Sequence, residues 1–156
     1  MNRLVLLALL AFGCAADRER LSPPKHVIEP QGNAGARWVE HAHQIHRLAD
    51  KAIDGAAKMD ALRELVALAK LDAPASVETA DEIVTRQDLY GRAAQLAFEL
   101  DQPDRALELA DQGLRLPAVE GPFRRQLFIM AAKVKAARGD NAGSAEAVRA
   151  ARESLR

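Results

Sequence analysis

The stretch Glu40 to His46 reads EHAHQIH and holds three of the four histidines of this 156-residue chain. Imidazole changes charge near neutral pH and is the side chain most often used to ligate metals. On a helix, His43, His46 and Asp50 fall within about 60° of one another. That face would present two imidazoles and a carboxylate, a donor set suited to zinc or copper. His41 points roughly the opposite way, onto the flank of the apolar stripe. The helical zinc signature sets two histidines four apart. Here they stand three apart, and no cysteine is near. The preferred reading is therefore a polar face that meets solvent or a partner, with a metal site as the alternative. No cofactor is implied.

Nothing points to catalysis. There is no nucleophile elbow, no Gly-rich phosphate loop and no CxxC. Ser22 stands among prolines, and Ser76, Ser144 and Ser154 lie near expected helix ends, where capping explains them. Basic and acidic residues balance at 22 each, so no basic face is implied and nucleic acid is not an expected partner.

The N-terminus carries a different chemistry. Met1-Asn2-Arg3 forms a short positive head, Leu4 to Phe12 is a continuous apolar run, and Asp17-Arg18-Glu19-Arg20 follows soon after. The run is far shorter than the roughly 20 residues that span a bilayer, so it reads as a secretory signal. Cys14 is the sole cysteine, so no intrachain disulfide can form. The box Ala11-Phe12-Gly13-Cys14 resembles a bacterial lipoprotein signal. That resemblance implies a signal at 1–13, lipidation of Cys14 and, with Ala15 following, a place on the periplasmic face of the outer membrane. Phe12 departs from the usual box, and ordinary cleavage after Ala15 or Ala16 is the rival reading. Ser22-Pro23-Pro24, Pro30 and Gly32 then break any helix, so 14–34 reads as a flexible tether.

The remainder, 35–156, reads as all-α. The chain is 49% hydrophobic but only 4% aromatic, and 32 of its residues are alanine. Val, Ile and Thr never alternate as strands require. The clearest unit is 87–117. Leu89, Tyr90, Ala93, Ala94, Ala97 and Leu100 form one stripe; Asp101-Gln102-Pro103 turns the chain; Ala106, Leu109, Ala110, Gly113 and Leu114 form the next. Before it, helices are expected at 36–54, with Trp38, Ala42, Ile45, Leu48, Ala49 and Ala52 inward and Gly55 as the stop, and from there to 71. The helix entering the central unit should start near Ser76 or Thr79, with a kink or break expected near Gly91. Helices at 122–138 and 142–155 follow, the last with Ala147, Val148, Ala151 and Leu155 inward.

This succession resembles the tetratricopeptide repeat. Tyr90, Ala94, Ala106 and Gly113 match its aromatic and small positions, while Ala93, Ala97 and Ala110 stand where larger residues are usual. The pairs 42–74 and 125–156 follow the pattern more loosely, at spacings of 45 and 38 residues (Ala61 to Ala106, Ala106 to Ser144) against about 34 in the family. The resemblance implies about six helices in hairpins stacked as a short right-handed array. It also implies a concave groove lined by His43, His46, Asp50, Asp88, Arg92, Gln95, Glu99, Gln126 and Lys133. The expected function is a lipid-anchored periplasmic scaffold or assembly factor that binds a protein partner through this groove. A periplasmic metal-binding protein using His43, His46 and Asp50, or a purely structural envelope lipoprotein, are the alternatives.

Overall fold

The computed structural model describes residues 34–72 and 79–154, all within the compact unit Gln31–Arg156. Cys14, the apolar run, the tether up to residue 33 and Ser76 lie outside the described residues. Among those described, the chain forms six helices and no strand: α1 (Ala34–Lys51), α2 (Gly55–Lys70), α3 (Thr79–Glu99), α4 (Pro103–Leu114), α5 (Pro122–Ala137) and α6 (Asn141–Glu153).

Three short turns at 52–54, 100–102 and 138–140 fold these helices into hairpins. Two of the turns use one device. The Asp101 N–H donates to Phe98 O at 3.1 Å and the Gln102 N–H to Ala97 O at 2.9 Å. Gly139 and Asp140 repeat this on Ala136 and Lys135 at 3.0 and 2.9 Å. Both turns satisfy the last carbonyls of the incoming helix with a residue in the left-handed region, Asp101 at φ 57 and Gly139 at φ 79. Pro103 then opens α4, where a missing N–H costs nothing. The first turn differs from expectation. Gly55 does not stop α1; it begins α2. Asp54 caps that helix, its carboxylate accepting the Ala57 N–H at 2.7 Å, and an aspartate at this position favours a helix start over a stop. Gly91 does not interrupt α3, which is helical from Thr79 to Glu99.

The packing is strictly between neighbours. Within the described residues, α1 packs on α2 and α3, α3 on α2, α4 and α5, α4 on α5, and α6 on α5 alone. The backbone of α1 comes close to none of α4, α5 and α6, as a closed bundle would require. The hairpins are therefore stacked in a row, each stabilised by the next. The leading helices α1, α3 and α5 stand side by side, with α3 between the other two.

The core is thin. Of 26 buried apolar residues among those described, 13 are alanine, so helices must approach closely to exclude water. Leu62, Leu65, Leu89, Leu96 and Leu127 are fully buried, each worth roughly 1.5–3 kcal/mol. Two expected core residues are not covered. Leu48 is 52% exposed and Val148 38%; Leu48 borders a shallow pocket against α2, and α6 packs on α5 alone.

Closest approach comes at Gly113. A Cβ there would stand 2.8 Å from both methyls of Leu127 and 3.0 Å from Tyr90 Cβ, where α3, α4 and α5 meet. A Cβ at Gly91 would meet Gln126 Cγ at 3.8 Å and Leu127 Cδ2 at 3.9 Å, ordinary contact distances. The two glycines therefore predict opposite effects. Gly113→Ala is expected to destabilise by about 1–2 kcal/mol, overpacking outweighing the gain in helix propensity. Gly91→Ala is expected to stabilise by up to about 1 kcal/mol. Chemical denaturation of both variants checks the pair.

Candidate functional site

Because α1 and α5 flank α3 without meeting, a trough lies open over α3. It comprises two adjoining pockets that share Asp88 and Phe123. One, of about 280 Å³, is lined by His46, Asp88, Arg92, Gln95 and Gln126, with Gln87, Gly91, Pro122 and Phe123. The other, of about 340 Å³, has His43, Asp81, Thr85 and Asp88 among apolar Val39, Ala42, Val84 and Phe123. The polar face of α1, the matching face of α3 and the first turn of α5 thus converge.

Around the first pocket the charged side chains pair with one another. The His46 Nε2–H donates to Asp88 Oδ1 at 3.2 Å, and His46 Nδ1 lies 3.7 Å from Asp50 Oδ2. Arg92 reaches back to Asp50 at 2.8 Å and stands 4.0 Å from Glu99. Glu99 accepts from Lys58 Nζ at 2.7 Å and from Gln95 Nε2 at 3.0 Å. These pairs run from α1 and α2 to α3, so they also hold the first hairpin on the second. Arg86 adds a strut, donating to Leu71 O at 2.8 Å and pairing with Glu82 at 2.8 Å. The hydrogen bond to Asp88 raises the His46 pKa above its ordinary 6.5 against the opposing effect of burial; Asp50 adds to the rise and Arg92 opposes it. The hydrogen bond from Lys58 holds Glu99 below the ordinary carboxylate value.

Of the expected groove residues, His46, Asp88, Arg92, Gln95 and Gln126 share the first pocket and His43 the second. Asp50 and Glu99 border them through the Arg92 pairs. Lys133 is the exception: it is exposed and lines neither pocket. It sits two turns beyond Gln126, roughly 10 Å along α5, past the end of the trough. The metal alternative is not assembled. No group of three His, Cys, Asp or Glu side chains among the described residues converges to hold an ion, since His46 is engaged by Asp88 and Asp50 by Arg92.

Three features of the trough are not evident from a polar helix face. Phe123 separates the pockets from the start of α5; it lies one turn ahead of Leu127 on the same stripe, where the helix reaches past its neighbours. Gly91 forms floor rather than kink. Gln87 is only 1% exposed, lines the first pocket, and its Nε2 has no hydrogen-bond partner. A glutamine four residues from Ile83 and three from Tyr90, both inward residues, is the signal that could have found it. Comparison with protein-family models, curated proteins and solved structures returned no match.

The shifted groups of this polar face, His46 and Glu99, act on stability in opposite directions. The His46 contribution is complete below pH 6.5 and is lost as pH rises through its elevated folded-state value. The Glu99 contribution is complete above 4.5 and is lost as pH falls through its lowered value. Their joint contribution is therefore complete between pH 4.5 and 6.5. Asp88→Asn is expected to return the His46 titration, followed by NMR of the ring protons, toward 6.5 and to flatten the stability profile on the alkaline side.

Proposed function

We propose that this chain is a non-catalytic binding protein, held by a lipid on Cys14 to the periplasmic face of the bacterial outer membrane. It serves as a scaffold or assembly factor for an envelope machine. The observation that carries the binding role is the open trough along α1, α3 and α5, lined by both apolar and polar side chains. A closed helical bundle would have no such surface. In tetratricopeptide repeats, which the sequence resembles, such a face receives a segment of a protein partner.

The anchor rests on the apolar run and on Gly13-Cys14. Attached acyl chains contribute about 0.8 kcal/mol per buried CH₂, and more than one chain makes the attachment stable. Among the described residues no helix is long and apolar enough to cross a membrane. The partner face would then stand off the bilayer on the segment between Cys14 and α1.

Both halves are testable in the native envelope. Cys14→Ser should release the protein from the membrane fraction; retention there would contradict the lipid anchor. A photocrosslinking residue at Gln95 should capture a defined partner, and one at exposed Glu108 on α4 should not. Equal capture from both positions would contradict the trough as the binding face.

A further inference from the structure

We infer that the trough takes an extended, uncharged polypeptide segment of about six residues. Its backbone is held by the carboxamides of Gln87, Gln95 and Gln126, and apolar side chains seat on either flank of Phe123. This rests on the binding role proposed above and names the chemistry of the partner.

Three observations carry it. The first is electrostatic. Asp88, Asp50 and Glu99 are each paired with His46, Arg92 or Lys58, so the charges around the first pocket are engaged with one another, while Asp81 stands at the far end of the second. A charged ligand would have to break those pairs, whereas an uncharged one leaves them intact.

The second is the carboxamide set. Gln87 and Gln95 lie one turn to either side of Gly91, and Gln126 Cγ lies 3.8 Å from where a Gly91 Cβ would be. A carboxamide offers both donor and acceptor, as a peptide group does. The missing side chain at Gly91 lets a backbone come close. Gln87 Nε2 is a buried donor without a protein partner, and such a donor costs stability until an acceptor reaches it. A ligand carbonyl in the first pocket would supply that acceptor.

The third is length. The trough is lined along α3 from Asp81 to Gln95, about 21 Å at 1.5 Å per residue. An extended chain covers that distance in about six residues at roughly 3.3 Å each. Phe123 stands between the two pockets, so alternate side chains of such a segment would enter one each. A compact small molecule would fill a single pocket and leave the other open.

The test is selection of displayed random hexapeptides on the full-length protein in detergent. Affinities of the enriched peptides are then measured by fluorescence anisotropy. Uncharged sequences with two apolar positions should be enriched. Gln87→Leu should weaken their binding about tenfold while the melting temperature stays level or rises, since an unsatisfied buried amide is removed. Gly91→Ala should weaken binding in a protein that is no less stable. Enrichment of charged peptides, no enrichment at all, or full affinity in both variants overturns the inference. If the Gln95 crosslink captures a partner while no hexapeptide is enriched, the trough keeps its binding role and this account of the ligand fails.

Discussion

The fold depends on how closely α3, α4 and α5 approach one another. A core in which half of the buried apolar residues are alanine cannot fill wide gaps, so the helices must come together until small side chains suffice. Gly113 marks the limit, with Leu127 and Tyr90 already against the space its side chain would occupy. Close packing on this side draws α5 onto α3 and α4 alike. The backbone of α5 makes no close approach to α1. The trough is thus a product of core packing and needs no loop or insertion to create it.

The attachment of the first hairpin to the second relies more on polar contacts. Apolar residues of α1 contribute Trp38, Ala42, Ile45 and Ala49 to the core. Beyond these, the α1–α3 seam is bridged by the His46–Asp88 and Asp50–Arg92 pairs. Partly exposed ion pairs are each worth little in isolation. As a connected set they fix the relative register of α1 and α3, and so the width of the trough. The charged residues that bridge the two helices line the first pocket together with the carboxamides and Phe123.

Much of this was legible in the sequence. The six helices and two of the three hairpin turns followed from periodicity, Pro103 and Gly139. The polar faces of α1 and α3 followed from the same periodicity, because a residue opposite an apolar stripe keeps that position whatever its neighbours are. Burial at the ends of the row was not legible. Leu48 and Val148 lie on apolar stripes yet remain exposed, since a stripe is covered only where a neighbouring hairpin exists to cover it. Lys133 failed for a related reason: periodicity gives the face of a helix but not how far along it the trough extends. Gln87 and Phe123 required the third hairpin to be placed, because α5 is what buries one and sets the other between the pockets.

The central claim is that recognition occurs on the α1–α3–α5 side. Backbone amide shift mapping by NMR, with a selected hexapeptide titrated into isotope-labelled protein, tests it most directly. The account predicts the largest shifts at Gln87, Gly91, Gln95, Phe123 and Gln126, with α4 and α6 nearly unmoved. Shifts centred on α4 or α6, or spread evenly over all six helices, would contradict it.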